Sequence, residues 1–145
     1  AGKTQGSMFF NPAKYKAYSN SSFGTHKDEI DVAAYTASDG KHYFLNPANK
    51  ETQNLFVADG MDYDASTMRT TKFIPLDAVN FDLAGDAELE RMDFSKAVDK
   101  VEVTTGSVIG FENQDGRRGI MNVKISSSIY PTIQCKFQAV AKKQE

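Results

Sequence analysis

The chain has 145 residues, 40% hydrophobic and 25% charged, which is enough to close one core without a metal or disulfide and too apolar for a disordered chain. Its 17 basic and 19 acidic residues leave a net charge of −2 and form no basic stripe, which argues against nucleic acid as a partner. The longest apolar stretches run four or five residues, as in Val32-Ala33-Ala34-Tyr35, against the roughly 20 that a membrane-spanning helix needs.

The opening Ala1-Gly2-Lys3-Thr4-Gln5-Gly6 has no initiator methionine and no basic-then-apolar leader, as expected of a mature or shortened chain. Ser7-Met8-Phe9-Phe10 and Glu29-Ile30-Asp31-Val32-Ala33-Ala34-Tyr35 read as strands, the first stopped by Asn11-Pro12 and the second by Ser38-Asp39-Gly40. His42-Tyr43-Phe44-Leu45 is a further strand and stops at Asn46-Pro47. Breakers thus recur about every ten residues, the spacing of a sandwich or barrel.

Leu83 to Met92 interrupts this rhythm, because Leu89 and Met92 share one helical face with acidic residues opposite; it predicts a short surface helix. Asp77 to Phe81 predicts another turn of helix capped by Asp77. Val101-Glu102-Val103 is then a short strand. Val108-Ile109-Gly110-Phe111 and Ile120 to Ile125 flank the turn-rich Glu112 to Gly119, where Asp115-Gly116 between apolar runs predicts a hairpin with Gly116 at positive φ. Ile129 to Val140 continues with Ile133, Cys135, Phe137 and Ala139 alternating against polar neighbours, so the C-terminal third reads as an antiparallel meander. The tail from 141 to 145 is polar and expected to fray, and residues 1–145 form one β-rich domain.

Cys135 is the only cysteine, which excludes an intrachain disulfide and a multi-cysteine zinc site. Alternation places it on the face of Ile133 and Phe137, predicting a buried, unreactive thiol.

Several of these elements resemble the C-terminal module of a group of Bacteroidetes envelope lipoproteins of unknown function. The resemblance lies in Ile30-Asp31-Val32-Ala33-Ala34-Tyr35 after the Ser/Phe-rich Ser19 to Phe23, in Phe44-Leu45-Asn46-Pro47-Ala48, and in Thr71-Lys72-Phe73. It is strongest in Thr105-Gly106-Ser107-Val108-Ile109-Gly110-Phe111 with Asp115-Gly116-Arg117-Arg118-Gly119-Ile120-Met121-Asn122-Val123, although Gly110 and Asn113 stand where those hairpins more often carry alanine and threonine. The resemblance implies an exported domain of the periplasm, the outer membrane surface or the secreted fraction, with a lipid anchor upstream and no catalytic signature.

Two acidic clusters, Asp28-Glu29-Ile30-Asp31 and Asp59-Gly60-Met61-Asp62-Tyr63-Asp64, carry calcium-type oxygen donors but lack the EF-hand spacing. No metal or cofactor is expected. His26 and His42 have no second ligand at helical spacing, and no nucleophile motif surrounds either. Tyr15, Tyr18 and Tyr63 lie among polar neighbours, so they are the candidate binding residues, presenting rigid apolar rings with polar tips to a glycan or protein. The expectation is therefore an antiparallel β-sandwich, immunoglobulin-like or jelly-roll-like, with one or two short helices inserted near residues 77 to 92. It would act as a non-catalytic binding or structural module, the rival class being a carbohydrate-active enzyme using paired carboxylates.

Overall fold

The computed structural model describes residues 6–19, 21–37, 39–76, 81–124 and 132–137. Among these residues, nine strands form two antiparallel sheets. The first contains β1 (Gly6–Asn11), β2 (Lys16–Ser19), β3 (Val32–Thr36), β4 (His42–Leu45) and β6 (Lys100–Val103), in the order β2-β1-β3-β4-β6. The second runs β5-β7-β8-β9, from β5 (Thr71–Pro75), β7 (Val108–Asn113), β8 (Arg118–Lys124) and β9 (Thr132–Phe137). The expected β-sandwich is present, and β7-β8-β9 form a C-terminal meander, but β6, expected to lead into that meander, pairs instead with β4 in the first sheet, where Val101 and Val103 find apolar partners.

Alternation sends one set of side chains from each sheet into a shared core. Phe10, Val32, Ala34, Phe44 and Val103 meet Phe73, Ile109, Phe111, Met121 and Val123 between the sheets. Both outer faces are also covered, which simple alternation of apolar and polar residues would not require. On the first sheet, Phe9, Ala33, Tyr35 and Leu45 pack outward against Phe23, Phe56 and Tyr63. On the second, Ile120 packs against Leu89 and Ala84. All five residues of β3 are consequently buried, and its near-continuous apolar run follows from having protein on both sides.

The outer layer over the first sheet is built on a helix absent from the sequence reading, α1 (Lys50–Ala58). Asn49 begins it by accepting the Glu51 N–H at 2.8 Å. It ends in a Schellman arrangement, with Gly60 N–H on Val57 O and Met61 N–H on Phe56 O, and Gly60 takes φ 86° as that motif requires. Only Thr52 and Phe56 are buried along α1, so its apolar stripe is too thin to stand out as a period. The expected helix near Leu83 is present as α2 (Asp86–Arg91). Arg118 of β8 holds its C-terminal end, donating through Nη1 to the carbonyls of Leu89, Glu90 and Met92 at 3.0, 2.8 and 3.0 Å. The turn expected to be capped by Asp77 falls mostly outside the described residues, as do the tail from 141 to 145 and the ends of the strand predicted from Ile129 to Val140.

The Asp115-Gly116 hairpin forms as expected. Gly116 N–H donates to Asn113 O at 3.0 Å and Asn113 N–H to Arg117 O at 2.9 Å, with Gly116 at φ 77°. This is a three-residue loop whose glycine occupies the left-handed position. On β8, Gly119 is demanded by packing instead. Phe111, its partner across the strands, lays its ring over the glycine and stacks on Phe137 with centroids 5.5 Å apart. A Cβ on residue 119 would run into Phe111 Cζ and come within 2.9 Å of Lys136 O. Gly119→Ala is therefore expected to cost about 1–3 kcal/mol through overpacking, read as a lower denaturation midpoint; an unchanged midpoint would show that the Phe111 ring is free to move aside.

Along one side the sheets join. Val98, just ahead of β6, exchanges both main-chain hydrogen bonds with Phe73 of β5, at 2.9 and 2.8 Å. Along the other side β2 and β9 end their sheets without pairing to each other among the described residues. Among the described residues the sandwich is closed at the β5–β6 side and open at the β2–β9 side.

Candidate functional site

An apolar pocket of about 310 Å³ occupies the open side, at the lower end of the range for ligand pockets. Met8 and Phe10 of β1 and Ala17 of β2 supply one wall, Ile133 and Cys135 of β9 the other, and Asn11, Pro12, Tyr15 and Lys16 the rim. The rim is a tight connection between β1 and β2. Asn11 caps the 3₁₀ turn Pro12–Lys14 by accepting the Lys14 N–H at 3.3 Å, and proline at the first turn position sacrifices no needed donor. The chain then reverses into β2 through Tyr15, which sits at φ 52°, ψ 42°.

That conformation is unusual for tyrosine. Left-handed backbone brings Cβ against the carbonyl and costs about 1–2 kcal/mol outside glycine. Tyr15 is the only non-glycine residue at positive φ among the described residues, and its side chain is 72% exposed, the most open large apolar group there. Its polar sequence neighbours pointed to this exposure; the apolar cavity at whose mouth the ring stands is disclosed only by the structure.

The structure does not bring the three expected tyrosines together. Tyr18 is half-buried on the outer face of the first sheet, stacked on His26 with centroids 4.0 Å apart and donating its hydroxyl to Glu29 at 3.2 Å. Glu29 also accepts from Lys14 Nζ at 2.5 Å and His26 Nδ1 at 3.0 Å, and these two bonds, the lysine first, hold its carboxyl down at about 2. The expectation that Tyr63 is exposed is overturned. It is 4% exposed, inside the aromatic cluster of Phe9, Phe23 and Phe56, and donates its hydroxyl to Pro47 O at 2.5 Å. Asp62 and Asp64 point to solvent on either side, and their polarity masks the ring turned inward between them.

Cys135 also departs from expectation. It shares the face of Ile133 and Phe137 but is half-buried, because β9 ends its sheet and its inner face opens into the pocket. Burial nevertheless pushes the thiol up to about 12. Such a thiol carries about a thousandfold less thiolate at neutral pH than an ordinary cysteine, so labelling by a maleimide is expected to be slow and to speed up only toward alkaline pH; rapid modification of the native protein at pH 7 would contradict this.

Several members of the two acidic clusters are engaged within the protein. Asp31, buried at 3% exposure, accepts from Arg69 Nε at 2.7 Å and Asn113 Nδ2 at 3.0 Å, and Arg69 Nη2 reaches Asp115 at 2.6 Å. Asp64 caps the turn Ala65–Thr67 by accepting the Ser66 N–H at 3.0 Å. Asp59 and Asp62 border a shallow polar depression with Ser21, Gly24 and Lys27. Among the described residues, no three His, Cys, Asp or Glu side chains converge on a point where a metal ion would sit. No described helix is long and apolar enough to cross a membrane.

The pocket walls Met8, Phe10 and Ile133 escaped the sequence reading, since each alternates like any core residue. The missed signal was the short Lys16-Ala17-Tyr18-Ser19 run, which as β2 makes the sheet edge. Fold and pocket together define a two-sheet antiparallel β-sandwich with covered outer faces, one joined side, and an apolar pocket in the open side. Comparison with protein-family models, with curated proteins and with solved structures finds no match to the chain.

Proposed function

We propose that the protein is a non-catalytic binding module that takes its ligand at the open side of the sandwich, with Tyr15 at the pocket mouth. One observation carries the reading: among the described residues a single one is at once the most exposed large apolar side chain, the one non-glycine residue in left-handed backbone, and part of the rim of an apolar cavity. Glycine would fill the same position without strain, and an exposed ring contributes little to the core. Strain retained at such a place fits a residue kept for contact with something outside the molecule.

The described lining of the pocket carries no carboxylate, which favours a binding role there over the paired-carboxylate chemistry of the rival hydrolase. The hairpin's resemblance to envelope lipoprotein modules supports an exported setting, in the periplasm, at the outer membrane surface or secreted, where the ligand would be a glycan or a protein.

The test compares Tyr15→Ala and Tyr15→Gly with the parent protein on a glycan array and against displayed peptides. Tyr15→Gly should be more stable by about 0.5–1 kcal/mol, since relief of the left-handed strain exceeds the extra freedom of glycine in the unfolded chain. Both variants should lose the ligand, and Val57→Ala, at the exposed face of α1, should keep it. Retention of full binding by Tyr15→Ala would overturn the reading.

A further inference from the structure

We propose that the pocket receives an extended segment of a partner polypeptide, laid as an additional strand between β2 and β9; this rests on the binding role assigned to the pocket and names its ligand class. Strand direction carries the argument. Every neighbour in the series is antiparallel: β2 with β1, β1 with β3, β3 with β4 and β4 with β6. Across the join, Val98 pairs antiparallel with Phe73, and β5 with β7, β7 with β8 and β8 with β9 continue the alternation. Nine alternating strands leave the two ends, β2 and β9, pointing the same way. They cannot close on each other as an antiparallel pair, but one more strand, antiparallel to both, completes the ring.

The chemistry of the opening suits such a strand. An edge strand presents unpaired N–H and C=O groups that template another strand, and pockets beside it select alternate side chains. Here β2 and β9 each end a sheet among the described residues. The edge offered by β2 is short, because the Ser19 N–H is already taken by Ser22 Oγ at 3.1 Å. Between the edges, Met8, Phe10 and Ile133 await apolar side chains, and Lys16, exposed at the rim, complements an acidic one. A sugar fits less well. Its hydroxyls would be buried against these apolar walls, and Asn11 Oδ1 already accepts the Lys14 N–H.

Short random peptides displayed on phage and selected against the full chain test the proposal. Enriched sequences are expected to alternate apolar and polar residues and to carry an acidic one. A synthetic peptide of that sequence should slow amide exchange in both β2 and β9 while leaving α1 unchanged. Its affinity should fall about 30-fold or more on Tyr15→Ala and should weaken on Lys16→Glu. Failure to enrich any peptide, or protection confined to one edge or lying elsewhere, overturns the inserted strand. A glycan whose binding Tyr15→Ala abolishes, with no peptide binder, also overturns the strand while leaving the pocket reading intact; a ligand indifferent to Tyr15→Ala overturns both.

Discussion

Replacing Tyr63 by alanine is expected to lower the unfolding free energy by about 3–5 kcal/mol, a large share of the roughly 5–15 kcal/mol that holds a domain together. The ring lies 5.2 Å from Phe56, 5.7 Å from Phe23 and 6.3 Å from Phe9 by centroid, so its removal hollows the layer between α1 and the outer face of the first sheet. Burial raises the phenol pKa, so the hydroxyl stays protonated and donates to Pro47 O. Tyr63→Phe isolates that bond: it keeps the ring, leaves a buried carbonyl short of a donor, and is expected to cost about 1–3 kcal/mol. Denaturant titration of both variants measures the two quantities. Equal losses would mean that the hydrogen bond, not the ring, carries the effect, and a negligible loss for Tyr63→Ala would return Tyr63 to the surface.

Asp31→Ala is the second large change, expected to cost about 3 kcal/mol. Asp31 lies just before β3, yet its carboxylate is held by Arg69 ahead of β5 and by Asn113 at the β7–β8 turn. Asn113 in turn accepts the N–H groups of Asp115 and Arg117 through Oδ1, both at 3.0 Å. One buried acid thus fastens the first sheet to the hairpin of the second. Removing it strands the Asn113 amide and leaves Arg69 with Asp115 alone. Breaking a buried pair from one side typically costs about 3–5 kcal/mol, and the lower end applies because the Arg69 side chain keeps 17% exposure. The double variant Asp31→Ala/Arg69→Ala should lose less than the sum of the singles, since the second removal takes away a group already deprived of its partner. Additive losses would show that the two side chains are not energetically coupled.

These two residues mark the limit of what the chain discloses by itself. Asp31 was legible as an acid among apolar strand residues, but its partner Asn113 lies 82 positions away, and no local pattern names Arg69. The polar neighbours of Tyr63 suggest polar surroundings that it does not have: in an extended segment consecutive side chains point opposite ways, so Asp62 and Asp64 say nothing about where Tyr63 points. Tyr15 was placed correctly at the surface, while the strained backbone that distinguishes it from Tyr18 is set by the reversal into β2.

By itself the sequence determined the β class, the strand at His42–Leu45, a short helix within Leu83 to Met92, found at Asp86–Arg91, and the Asp115-Gly116 hairpin with its positive φ. Each depends on a few adjacent residues: alternation, a breaker, a glycine able to turn left-handed. Tertiary structure alone decided that α1 and α2 cover the outer faces, that Val98 ties the sheets on one side, and that β2 and β9 face a pocket on the other. Those outcomes depend on which apolar faces meet and which edges find partners across the chain, and pairing over such distances is settled by packing the whole core at once.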